Sequence, residues 1–169
     1  MRSASRPLIL LILLALCIEA GSANAALADA ARAVMALDPT PTLITLDAGG
    51  QARARTVQAS EPDADFTVWI ATRPNTRKVA QLRAQDRVTL HYAKDSAAAY
   101  VSVMGRATLH EDPDTLAAHT FHTPADLAAF WPDYPSDYLL IRVIPERIEV
   151  LSAEVAADSH TWAPQGFAP

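Results

Sequence analysis

The spacing of hydrophobic and polar positions changes several times along this chain. Leu27, Ala30, Val34 and Leu37 recur at helical spacing in the alanine-rich stretch 26–37, and Asp38-Pro39 ends that pattern. Residues 42–46 then read as a short strand, and 51–59 as its return strand. Asp47-Ala48-Gly49-Gly50 between them reads as a hairpin turn, where glycine supplies positive φ. The segment 65–72, DFTVWIAT, carries the strongest strand signal, because β-branched and aromatic residues dominate it. Arg73-Pro74-Asn75 breaks that strand, Thr76 stands as a helix cap, and Val79 and Leu82 give 77–84 an apolar side. Further strands are predicted over 87–92 and 98–109, joined through Lys94-Asp95-Ser96. Asp112-Pro113-Asp114 starts a helix running to about His119, and Thr123-Pro124 starts another through Phe130. Two last strands are predicted over 138–143 and 146–151. From Ser152 the chain turns polar and proline-marked, a tail that Trp162 is expected to pin to the surface.

Six or seven hairpin-linked strands with short helices between them predict a single-domain, mainly β protein built on a small antiparallel barrel. A sandwich of the same strands is the alternative. The domain spans 26–151, with 152–169 as the tail.

The start of the chain has a different character. Arg2 and Arg6 precede an apolar run from Leu8 to Ile18, too short to span a bilayer comfortably, and Ala23-Asn24-Ala25 supplies a small-x-small pattern. Residues 1–25 therefore read as a Sec-type secretory signal cut after Ala25, which places the mature protein in the periplasm or outside the cell. Leu16 stands before Cys17, where a lipoprotein signal wants a small residue. No arginine pair marks the twin-arginine route.

Half of the 169 residues are hydrophobic and 20% are charged, enough for one core and too apolar for general disorder. The net charge of −5 argues against a protein that coats nucleic acid or an anionic membrane. The one cysteine lies in the leader, so the mature chain has no disulfide, thiolate metal site or cysteine nucleophile.

Against that acidic background, Arg53, Arg55, Arg73, Arg77 and Lys78 fall close together. Strand alternation puts Arg53 and Arg55 on one face. Arg77 and Lys78 occupy the first turn of a helix, where backbone N–H groups also favour an anion. If the strands at 51–59 and 65–72 pair, these cations converge on one phosphate, with Arg55 as a two-pronged donor and Lys78 as a point charge. The alternative is a set of solvated surface charges, some paired with Glu61, Asp63 and Asp65.

Arg55-Thr56-Val57, then Phe66 to Thr72, then Thr76-Arg77-Lys78 resembles the flavin-binding split-barrel superfamily, also called pyridoxamine 5'-phosphate oxidase-like. The 87–92 and 100–107 segments, His110-Glu111-Asp112 and the closing strands resemble its general-stress-protein branch. The resemblance implies a six-stranded Greek-key split barrel that forms a homodimer, with FMN in the groove between subunits. It implies that Arg55 and Lys78 hold the phosphate, with Thr76 and Arg77 assisting. Thr56, Val57, Ile70, Ala71 and Thr72 would line the ring through backbone groups. Separately, Trp131, Tyr134 and Tyr138 cluster in the 130–138 loop as a candidate cover for the flavin of the partner subunit, set against plain loop anchoring by aromatic burial. The resemblance further implies a flavin-dependent oxidoreductase working through hydride or electron transfer, its substrate and donor unspecified. The vitamin-binding residues of the true oxidase have no counterpart here. A non-catalytic module for flavin or haem, or a barrel with an empty groove, are the alternatives.

His91 is a candidate haem ligand on a strand, set against a half-exposed barrel histidine. His119 and His122 have helical spacing but lack a third ligand, so capping or surface roles are favoured over a metal site. No nucleophile elbow or Gly-rich nucleotide loop is present.

Overall fold

The computed structural model describes residues 23–93 and 99–169. The leader expected over 1–25 lies almost wholly outside the described residues, as does the loop expected at Lys94-Asp95-Ser96. A first helix, α1, covers 23–36 and buries Ala31, Val34 and Met35. Two strands follow, β1 (Thr42–Leu46) and β2 (Ala52–Thr56), then β3 (Val68–Thr72) and α2 (Arg77–Ala84). Next come β4 (Arg87–Tyr92), β5 (Tyr100–His110), α3 (Pro113–His119) and α4 (Pro124–Phe130). The chain ends with β6 (Leu139–Leu151) and β7 (Gln165–Phe167).

The strands form one antiparallel sheet in the order β2-β1-β4-β5-β6-β3, with β7 added beside β6. Six strands make the main path, as expected, and the tail supplies a seventh. The strand predicted over 51–59 ends at Thr56 and pairs with β1, not with β3. Only a single bridge, Ala59 to Ile70, joins the two ends of the path. Val57 and Ala59 instead donate their N–H groups to the carbonyls of Pro41 and Pro39. The barrel is therefore split rather than closed.

β3 is apolar on both faces for a physical reason. Val68 and Ile70 enter the main core with Leu43, Leu90 and Val103, all fully buried. Trp69 faces the other way and packs with Leu116, Tyr138 and Leu140, a smaller core roofed by α3 and α4. The strand starts three residues later than predicted. Asp65 accepts a hydrogen bond from the Thr67 N–H, and Phe66 adopts φ 62°, a left-handed turn before the strand begins.

The two closing strands predicted on either side of Pro145 are one continuous strand. Pro145 lies opposite Gly105 at a bulge, where its missing N–H breaks no regular ladder. A Cβ on Gly105 would lie 2.0 Å from the Ile144 carbonyl oxygen, so only glycine allows this approach. In the tail, Phe167 makes the anchoring contact, buried and edge-on to Phe66 at 5.6 Å. Trp162, expected to do this, is 81% exposed. Among the described residues, no helix is long and apolar enough to cross a membrane.

Candidate functional site

The basic cluster separates into two kinds of side chain. Arg53 pairs with Asp47 at 2.7 Å, and Arg73 reaches Asp137 at 3.9 Å. Arg55, Arg77 and Lys78 make no ion pair among the described residues. Their hydrogen-bond partners are neutral. Arg55 donates from Nη1 to Thr45 Oγ1 at 2.6 Å and to the Leu43 carbonyl at 3.3 Å, and from Nη2 to Gln81 Oε1 at 2.9 Å. Lys78 Nζ donates to Thr72 Oγ1 at 2.9 Å.

These cations feel one another. Burial first, then the positive charge of Arg55, pushes Lys78 below the ordinary lysine range. Burial first, then Arg77, lowers Arg55 in the same way. Both are half-buried, so water screens the repulsion only in part. An anion docking here would relieve both effects.

The helix start is less capped than Thr76 predicts. Thr76 takes the cap position, but its hydroxyl accepts nothing from the first turn. It donates to the Arg73 carbonyl instead and lies 3.4 Å from Thr72 Oγ1. The N–H groups of the first turn thus have no side-chain acceptor from the cap, beside Arg77 and Lys78.

Next to these groups is an open groove of about 410 Å³, lined by Gln58, Ala71, Thr72, Arg73, Thr76, Phe130 and Trp131. Arg73 Nη2 donates to the Phe130 carbonyl at 2.8 Å and ties the β3–α2 turn to the end of α4. Trp131 packs edge-on to Tyr138 at 5.0 Å and to His122 at 4.8 Å. This places Ala71, Thr72, Thr76 and Trp131 on one groove, with Lys78 linked to it through Thr72. Thr56 is exposed beside Arg55 on β2. Val57 and Ile70 do not reach the groove. Both are buried in the main core, and the Val57 N–H is already taken by Pro41.

The other candidates are engaged elsewhere. His91 Nδ1 bonds Ser102 Oγ at 3.0 Å. His119 stacks on Trp69 at 4.0 Å, and His122 Nδ1 bonds the Tyr138 hydroxyl at 3.1 Å. Among the described residues no group of three or more potential ligands could hold a metal ion. A separate hollow of about 310 Å³ lies between α1, the 59–62 loop and Tyr92. Its one cation, Arg32, is bound to the Asp63 and Ala64 carbonyls and lies over the Phe66 ring, so it offers a phosphate little.

Sequence reasoning missed Gln81 and Thr45. The signal was present for Thr45, because alternation along β1 puts it on the inward face with Leu43. A hydroxyl at a core position needs a partner.

The strand path, its single closing bridge and the groove at the β3–α2 turn define a split barrel. Solved structures share it at low sequence identity. General stress protein 26 from Bacillus anthracis matches with a TM-score of 0.66 at 18% identity, over 85% of this chain and 98% of that one. A pyridoxamine 5'-phosphate oxidase-related, FMN binding protein from Nostoc punctiforme matches at 0.61 and 14% identity, over 86% and 95%. A heme binding protein from Mycobacterium smegmatis matches at 0.61 and 21%, over 82% of this chain and 56% of that one. No curated protein matches the sequence. The family profile described as "Pyridoxamine 5'-phosphate oxidase" matches residues 27–152, and the chain belongs to that family.

Proposed function

We propose that this chain is an exported FMN-binding protein that acts as a flavin-dependent oxidoreductase. The reading assigns the phosphate to Arg55, Arg77 and Lys78, and the ring to the groove beside Ala71, Thr72 and Trp131. One observation carries it. Arg55 and Lys78 are half-buried, repel each other and have only neutral partners, which is the donor set a phosphate dianion needs. A bound flavin would supply hydride or electron transfer. The protein's own part is to grip the phosphate, fix the ring against β3 and keep water from one face with Trp131.

Two further parts of the reading have supporting observations. The site is completed in a homodimer. Phe130 is 61% exposed at the rim of the groove, and a second copy would cover it. For export with cleavage after Ala25, the supporting observation is that residues 23–26, on either side of the expected cut, are all exposed.

The test is the visible spectrum of the protein purified without added ligand, followed by titration with FMN. Flavin bands that bleach on reduction and return in air support the proposal. A haem spectrum favours the alternative cofactor, for which His91 would have to leave Ser102. A colourless protein that takes up no added FMN refutes the flavin reading.

A further inference from the structure

One partner of Arg55 is a buried amide. Gln81 lies on the inner side of α2 between Val79 and Leu82 and is only 8% exposed. A leucine or methionine would fill that space without an amide to satisfy. Burying an amide is unfavourable unless its oxygen and nitrogen find partners. Gln81 Oε1 accepts two hydrogen bonds, from Arg55 Nη2 at 2.9 Å and from Thr45 Oγ1 at 2.7 Å. Arginine can only donate, so the amide must turn its oxygen toward Arg55. Thr45, 1% exposed, gives its proton to Gln81 and turns its lone pairs to Arg55 Nη1 at 2.6 Å. The three side chains form a closed ring that fixes the guanidinium plane.

The partners' neutrality is the informative feature. Several other arginines of the chain are held by carboxylates. Asp47 grips Arg53, and Asp86 with Glu146 grips Arg106. A glutamate at position 81 would hold Arg55 more strongly, but it would cancel the charge. Glutamine and threonine orient the group and leave the charge available.

We propose that Gln81, with Thr45, is the positioning residue that holds the Arg55 guanidinium in one orientation with its charge uncancelled, so that the site selects a phosphomonoester over the same ligand without phosphate. This rests on the flavin-phosphate reading above and deepens it.

The experiment compares FMN with riboflavin, which lacks the phosphate, by flavin-fluorescence titration of the wild type, Gln81→Glu and Thr45→Val. Wild type is expected to prefer FMN. Gln81→Glu keeps the shape and gains an ion pair with Arg55, so it should fold. It is expected to weaken FMN binding by about tenfold or more while changing riboflavin binding less than about twofold. Thr45→Val, read in the same way, should lose several-fold of the preference and decides the matter should Gln81→Glu fail to fold. A merely structural role would move both ligands together. A wild-type preference for FMN that survives in the folded variants overturns the role of Gln81. A wild type that binds the two flavins equally, or neither, overturns the phosphate clamp itself and this inference with it.

Discussion

Lys78→Met separates a ligand-holding cation from a structural one, because the two roles predict opposite results. Methionine keeps an unbranched chain of similar length. It removes the charge and the 2.9 Å bond to Thr72 Oγ1. Burial and then Arg55 hold the folded-state pKa of Lys78 below the ordinary value of 10.5. The unfolded chain therefore binds the proton more tightly. Stability gained from this group rises as pH climbs from the lowered pKa toward 10.5, and at neutral pH the full penalty of the charged form is in force. Lys78→Met relieves that penalty and loses one hydrogen bond of about 0.5–1.5 kcal/mol. Melting of the ligand-free protein should hold level or rise. Binding should move the other way. A charge-assisted bond to phosphate contributes about 1.5–3 kcal/mol, so the FMN dissociation constant should rise roughly tenfold to a hundredfold. Wild-type affinity should also weaken on the alkaline side before the ordinary lysine range, and the variant should show no such limb. Thermal melts without ligand and fluorescence titrations with FMN give both numbers. A variant that melts several degrees lower and binds FMN as tightly as wild type would refute the reasoning, and Lys78 would then be a structural donor to Thr72.

Two other predictions concern the frame around the groove. Gly105→Ala forces a Cβ to within 2.0 Å of the Ile144 carbonyl oxygen, so the β5–β6 bulge must open; denaturant unfolding should show a loss of roughly 3 kcal/mol or more, and a near-neutral result would mean the bulge is soft. His122 is held below its ordinary 6.5, chiefly by burial, with Asp126 opposing, so the unfolded chain takes up the proton first as pH falls. Stability should drop from pH 6.5 downward, and His122→Gln should flatten that part of the melting-pH profile; an equally steep profile in the variant assigns the acid sensitivity to other groups.

Most strands were legible because their periods are local. Alternation marks β4, and DFTVWIAT marks β3 by composition alone. What escaped is set by partners distant in sequence. Pro145 looks like a strand breaker until Gly105 is seen opposite it, where the bulge absorbs the missing N–H. Phe167 and Trp162 are both aromatic residues in a polar tail, and only the position of Phe66 decides which one is buried. The site divides along the same line. Arg55, Arg77 and Lys78 were legible as cations in an acidic chain, and Thr72 with Thr76 as hydroxyls at a strand end and a helix start. Gln81 was not, because a glutamine in a short helix is ordinarily exposed, and its burial depends on Thr45 thirty-six positions earlier. Val57 and Ile70 lie in the right segments, but both are buried in the main core, and the Val57 N–H is taken by the Pro41 carbonyl.

That the three cations of the site lack an acidic partner among the described residues is informative because acidic residues are plentiful. The chain carries 19 aspartates and glutamates against 14 lysines and arginines. It uses them to hold Arg53, Arg83, Arg106 and Arg147 in ion pairs. Most of those pairs are on the surface, where each contributes little and solvent would screen the charge anyway. Arg55 and Lys78 are less exposed to water, so a carboxylate would stabilise them more, yet their partners are an amide, two threonine hydroxyls and a carbonyl. A fold optimised with nothing in the groove would gain from a glutamate at position 81. Glutamine there keeps the repulsion in the empty protein and leaves an anion to remove it. Stability withheld in the free state is regained on binding only by a ligand that carries the missing negative charge. That coupling favours a phosphate-bearing ligand over an uncharged planar one, and it makes the preference of FMN over riboflavin the quantity on which the site's assignment turns.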